Sequence, residues 1–236
     1  MLGLSPPSGR SAPSGGLAPL TPMRNDHAHG MKLVILGRDG TLNRYRDDHV
    51  KAPEELDPLP GAMEAVARLN QAGWHTVLAT NQAGIGRGLL DMASLTAVHL
   101  RLNQLLAEKG GRLDAAFFCP HTPDEGCDCR KPLPGLIQQI GERFGATLPD
   151  VHMVGASLTD LLTAQNAGCI PHLVLTGPFG TLSTEQLATL LMQVPQAQVH
   201  DDLASCADVI IQGERRRIAE KRGKALAPDT QSGDLF

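Results

Sequence analysis

Four residues between positions 119 and 129 (Cys119, His121, Cys127 and Cys129) carry the strongest chemical signal in the chain. Three thiols and one imidazole make a complete tetrahedral donor set for zinc, with no position left for water, so the expected role of the ion is structural. Disulfides between cysteines this close in sequence are geometrically awkward. The segment runs straight into Arg130-Lys131-Pro132, so a metal that fixes this loop also fixes two cations. Cys169 and Cys206 stand apart and read as small buried residues.

Three further segments have residue types suited to binding an anion. Gly37-Arg38-Asp39-Gly40-Thr41-Leu42-Asn43 follows an apolar run and places a carboxylate in a glycine turn, although Asp-Gly is also a common plain turn. Thr80-Asn81-Gln82 leads into Ala83-Gly84-Ile85-Gly86-Arg87-Gly88, where the glycines let backbone approach a ligand and Arg87 can meet an anion; a flexible loop is the equal alternative. Val154-Gly155-Ala156-Ser157-Leu158-Thr159-Asp160 sets a helix start after a strand, with Asp160 one turn inside, a position that often serves only the helix dipole.

Short apolar runs and helical patterns alternate along the chain and place these segments. Strands are expected over Lys32–Leu36, Thr76–Ala79, Ala115–Cys119, Val151–Val154 and His172–Leu175. Helical spacing appears in Met63, Val66 and Leu69, in Leu95, Val98, Leu102, Leu105 and Leu106, and in Leu136, Ile137, Ile140 and Phe144; a glycine follows each. The alternation predicts an α/β fold, a parallel sheet with helices on both faces, whose strand ends carry the polar turns. His49, His75, His99, His152, His172 and His200 show no ligand spacing and read as surface or core residues, and Trp74 reads as a cover for the core.

The 236-residue chain is 42% hydrophobic and 19% charged, an ordinary balance for one folded domain. A net charge of −4 and 3% aromatic residues argue against a nucleic-acid surface, and no apolar run is long enough to cross a membrane. Residues 1–30, rich in Gly, Pro and Ser, read as a disordered leader, with Met31 a candidate start of the folded part. The domain is expected over 31–211 and a polar tail over 212–236. The cysteine usage and the lack of a secretory signal point to the cytoplasm, and a monomer is the default.

In combination, the four segments resemble the haloacid dehalogenase phosphohydrolase superfamily, and within it the small zinc-containing D-glycero-D-manno-heptose 1,7-bisphosphate phosphatases; the related histidinol-phosphate phosphatases share the zinc loop. The resemblance implies a Rossmann-like core without a large cap and magnesium-dependent chemistry through an aspartyl-phosphate. The implied reaction removes the 7-phosphate of a sugar bisphosphate on the way to lipopolysaccharide heptose precursors. It implies that Asp39 is the general acid–base and that its backbone carbonyl meets magnesium, that Thr80 and Lys131 hold phosphoryl oxygens, and that Thr41, Asn81, Gln82, Arg87 and Arg130 surround the substrate.

Two positions depart from the family's pattern. The nucleophilic Asp of Asp-x-Asp-Gly-Thr is Gly37 here, and the magnesium-binding Asp of Gly-Asp-x-x-x-Asp is Ala156. Glycine cannot form an acyl-phosphate, and magnesium prefers an octahedron of oxygens that includes a carboxylate. Asp160 is left as a candidate to hold a metal-bound water. The expectation is a catalytically impaired member that still binds a sugar phosphate or free phosphate. Slow water attack assisted by Asp39, a working phosphatase with a compensating group, a histidinol-phosphate phosphatase-like enzyme, and a purely regulatory sugar-phosphate sensor are the alternatives.

Overall fold

The structure is a computed structural model that describes residues 30–225. The expected leader lies outside the described residues except for Gly30, as does the chain beyond Ala225. Strands form at β1 (Leu33–Leu36), β2 (His75–Asn81), β3 (Ala115–Cys119), β4 (His152–Gly155), β5 (Ile170–Val174) and β6 (Gln198–His200). Among the described residues they make one parallel sheet in the order β3-β2-β1-β4-β5-β6. The helices are α1 (Ala62–Gln71), α2 (Ala83–Gly86), α3 (Met92–Glu108), α4 (Gly135–Phe144), α5 (Leu158–Ala167), α6 (Thr184–Leu191) and α7 (Leu203–Ala225).

The continuous apolar run of β1 follows from burial on both faces. Val34 and Leu36 point into a core built with Leu69 of α1, Leu102 and Leu106 of α3, and Ile210 of α7. Leu33 and Ile35 point into a second core with Ile137 and Ile140 of α4 and Ala164 of α5. All four β1 side chains are fully buried. Helix starts and stops follow local chemistry: Asp91 caps α3 by accepting from Ser94 N at 2.7 Å, and Gly145 ends α4 in the left-handed conformation at φ 61°.

The chain leaves β1 and β4 in opposite directions across the sheet, so a crevice opens at their carboxyl ends, where such sheets bind ligands. The two strand ends are tied by a hydrogen bond from Gly37 N to Val154 O of 2.9 Å. Two features differ from the sequence expectation. A short sixth strand completes the sheet edge at Gln198–His200, too brief and too polar to stand out as an apolar run. Helix α7 crosses the boundary placed at 212 and continues to Ala225, with Glu214 buried, because its apolar side still packs on the sheet while its other faces are charged.

Candidate functional site

Strands β1, β2 and β4 deliver the three polar turns to one cavity of about 300 Å³, and the Cys/His loop supplies a fourth wall. Gly37, Arg38, Asp39, Thr80, Asn81, Arg130, Lys131, Ala156 and Asp160 all line it. Parts of the chain far apart in sequence therefore meet as expected. The segment after β1 also contributes Tyr45, Arg46, Asp47 and His49, and the start of α5 adds Ser157 and Thr159. Ser157 and Thr159 fall in the segment after β4 that the sequence marks as suited to an anion, whereas Tyr45, Arg46 and Asp47 match no motif and His49 reads from sequence as a surface or core residue.

Asp39 is gripped by its neighbour. Arg38 donates from Nε to Oδ1 at 3.2 Å and from Nη2 to Oδ2 at 2.9 Å, while its own side chain is wholly buried. Behind it, the side-chain oxygen of Gln82 accepts from both Arg38 terminal nitrogens at 3.1 Å and from Thr80 Oγ1 at 2.9 Å. Gln82 thus orients Arg38 and Thr80 rather than facing the cavity. Arg87 is exposed at the end of α2 and does not line the cavity either.

Lys131 is the best-anchored cation. Its Nζ donates to Asp160 Oδ1 at 2.5 Å and to Ala79 O at 3.1 Å, and both partners of the ion pair are buried. Asp160 Oδ2 in turn accepts from Ser157 Oγ at 2.6 Å and Ala156 N at 3.2 Å. The backbone of Lys131 is clamped by Asn81, whose Nδ2 donates to Lys131 O and whose Oδ1 accepts from Lys131 N, each at 3.1 Å. Arg130 donates to His121 O at 3.1 Å, which ties the guanidinium to the Cys/His loop.

The surroundings of the two departing positions are tight. A Cβ at residue 37 would lie only 3.0 Å from Thr41 Oγ1, a buried hydroxyl with no hydrogen-bond partner, so a larger residue there would need Thr41 to give way. Thr41 thus faces Gly37 and does not line the cavity, and its unmet polar group is of the kind that costs about 1–3 kcal/mol. The Ala156 methyl sits between Gly40 and Gly177, where a Cβ on either glycine would come within 2.8 Å or 2.7 Å of it.

Charge in the cavity is close to balanced. Arg38, Arg46, Arg130 and Lys131 face Asp39, Asp47 and Asp160. Burial pulls the His99 imidazole on α3 down to about 4, with the Arg38 charge adding to the effect and Asp39 opposing it. The Tyr45 phenol is raised by burial and by the Asp47 carboxylate beside it.

The loop cluster has the geometry of a tetrahedral site. Cys119 Sγ lies 3.6 Å from His121 Nδ1 and 3.6 Å from Cys127 Sγ, and His121 Nδ1 lies 3.3 Å from Cys129 Sγ. All four donor atoms fall within 4.8 Å of one another. A tetrahedron with metal–sulfur bonds of about 2.3 Å has edges of about 3.7 Å, so the donors stand where a bound ion would hold them.

Comparison with known proteins agrees with this assembly. A family model described as HAD-hydrolase-like matches residues 128–206. The D-glycero-beta-D-manno-heptose-1,7-bisphosphate 7-phosphatase of Bordetella bronchiseptica is 49% identical over 177 residues, covering 70% of this chain and 99% of its own length. The Pseudomonas aeruginosa enzyme of the same name is 46% identical over 181 residues, covering 76% and 98%. The crystal structure of D,D-heptose 1,7-bisphosphate phosphatase from B. bronchiseptica, complexed with magnesium and phosphate, superposes with a TM-score of 0.71 at 47% identity, over 78% of this chain and 99% of that one. With relatives this similar spanned almost end to end, the chain belongs to the heptose-1,7-bisphosphate phosphatase family of HAD-like hydrolases.

Proposed function

We propose that this protein is a phosphatase-family scaffold that binds the phosphoryl group of a sugar phosphate, of the heptose 1,7-bisphosphate kind, and does not hydrolyse it by the family's covalent route. The observation that carries the reading is Gly37 itself, which lines the cavity at the end of β1 where the family pattern has its nucleophilic Asp. Without a carboxylate there no acyl-phosphate forms.

The residues present do not fit magnesium. Residue 37 offers no donor, residue 156 offers a methyl, and both oxygens of Asp160 are engaged by Lys131, Ser157 and the Ala156 amide. A hard cation that wants carboxylate oxygens finds none free at the end of either strand. Zinc does fit Cys119, His121, Cys127 and Cys129, and its work is to hold the loop that presents Arg130 and Lys131.

Phosphate recognition without magnesium is supported by the charges. Four cations line the cavity against three carboxylates, whereas two more carboxylates at 37 and 156 would reverse the sign. The Arg130 guanidinium donates to phosphoryl oxygens, Thr80 Oγ1 joins it on giving up its bond to Gln82, and Lys131 supplies fixed positive charge. Asp39 must rotate out of the Arg38 fork before it can meet a leaving oxygen. A cytoplasmic monomer acting on small sugar phosphates is the setting this reading assigns.

The test is phosphate release from D-glycero-D-manno-heptose 1,7-bisphosphate with magnesium, comparing the unaltered chain with the Gly37→Asp, Ala156→Asp double variant. The double variant is expected to turn over at least about 10⁴-fold faster, the scale on which groups of one catalytic unit act. Each single variant should stay near the unaltered chain. Comparable turnover by the unaltered chain overturns the reading.

A further inference from the structure

On the α1 and α7 side of the sheet, away from the crevice, three histidines step diagonally across three strands. The register pairs Val154 with His172 and Val174 with His200, so His152, His172 and His200 share one face, each two residues further along its strand than the last. His152 Nδ1 lies 2.8 Å from His172 Nε2, and His172 Nδ1 lies 3.0 Å from His200 Nε2. Cys206, in the first turns of α7, completes the row: its Sγ and one nitrogen of each of His172 and His200 lie within 4.8 Å of one another. His172 and Cys206 are completely buried and His200 is 8% exposed. Spacings of 20 and 28 residues hid this cluster in the sequence.

We propose that His172 Nδ1, His200 Nε2 and Cys206 Sγ form a second metal site, for a borderline-soft transition-metal ion of which zinc is the natural example. The donor set of two imidazoles and a thiol is one that zinc accepts, and two nitrogens on a tetrahedral ion stand about 3.3 Å apart, a few tenths of an ångström from the distance present. Cys206 Sγ, within 4.8 Å of a nitrogen on each of the two rings, is the third donor. Binding exchanges the Cys206 thiol proton for the metal, and the His200 N–H moves to Nδ1.

Two further observations point to a ligand rather than to a self-satisfied row of core side chains. His152 stands where an outer partner belongs: with His172 Nε2 donating to His152 Nδ1, the Nδ1 lone pair of His172 is fixed toward His200 and Cys206. His152 is itself held by the edge of Trp74, with ring centres 5.2 Å apart and planes at 79°. A cavity also lies against the row: about 260 Å³ in volume, it is walled by His152 and His172 with Ile210, Gly213 and Glu214 of α7, so it opens at the His152–His172 end, with His200 and Cys206 beyond it. Bound there, it would clip the short edge strand β6 and helix α7 to the body of the sheet.

Metal content of tag-free protein loaded with zinc and freed of excess tests the site. The unaltered chain is expected to hold about two equivalents, one in the loop and one here, where full occupancy of a structural site is the norm. His200→Gln should lose one equivalent, while Cys127→Ser loses the other. His200→Gln that is folded and holds as much zinc as the unaltered chain overturns the proposal, whatever the state of the loop. Should that variant fail to fold, cadmium-113 spectra of the unaltered chain decide. Two resonances, one from a three-thiolate and one from a single-thiolate environment, support the site, and a lone three-thiolate resonance overturns it.

Discussion

The Lys131–Asp160 pair sets what the crevice can offer an anion. Both groups are buried, and each oxygen of the carboxylate is already spoken for, so Asp160 serves the lysine before it serves any ligand. Removing one partner strands the other's charge out of water, a change that costs about 3–5 kcal/mol, whereas removing both costs far less. Lys131→Met is therefore expected to lower unfolding free energy by that amount, and adding Asp160→Asn should recover most of it in a double-mutant cycle by denaturant titration. A cycle with no coupling would mean the pair is solvated. The family resemblance marked these residues as site residues, but nothing in the sequence marked them as each other's partner, because they reach the crevice from separate turns. The resemblance also implied that Thr41 and Gln82 lie beside the substrate. The fold turns Thr41 toward residue 37 and Gln82 toward Arg38, a distinction that depends on side-chain direction at a strand end, which no spacing encodes.

The Cys/His loop and the end of β2 act as one element, joined by the two Asn81 bonds to the Lys131 backbone. Asn81→Ala should cost about 1–3 kcal/mol, the scale of two buried hydrogen bonds, and should also weaken inorganic phosphate binding by freeing the loop that carries Arg130. Thermal unfolding with and without phosphate reads both effects. A variant with lowered melting temperature but an undiminished phosphate-induced shift would show that the clamp is merely structural. The central strands and the three long amphipathic helices were legible because burial on one or both faces forces a regular apolar pattern. Strand β6 was not, because an edge strand needs few apolar residues: Gln198 and Val199 are exposed and His200 alone turns inward. The end of α7 was hidden for a related reason, since a basic surface along a helix reads like a solvated tail until its buried side is known.

For the molecule as a whole, burial holds several imidazoles below their ordinary range, those of His152, His172 and His200 among them, and His99 is the one that feels the Arg38 and Asp39 charges. His99 is held near 4 by burial, against about 6.5 when unfolded, and its Nε2 has no partner. Above pH 6.5 it is neutral in both states and its contribution is fully present. As pH falls from 6.5 toward 4 the unfolded chain takes up a proton that the folded chain refuses, and stability drops by at most about 1.4 kcal/mol per pH unit from this group. His99→Gln should flatten the acid side of the stability profile by one proton in denaturant titrations run across that range; an unchanged slope would place the imidazole in contact with water. The two departing positions follow the neighbouring strands β1 and β4, whose ends are tied by the backbone bond from Gly37 N to Val154 O, and the Ala156 methyl is itself part of the core. On the function proposed above, that arrangement works as a ratchet. Once either carboxylate is lost, the other has no reaction left to serve, and its replacement by a small neutral residue goes unopposed while the scaffold stands intact. Return then requires two changes at once, neither of use without the other, so a chain that has slipped one notch is held there by the very closeness that made the pair effective.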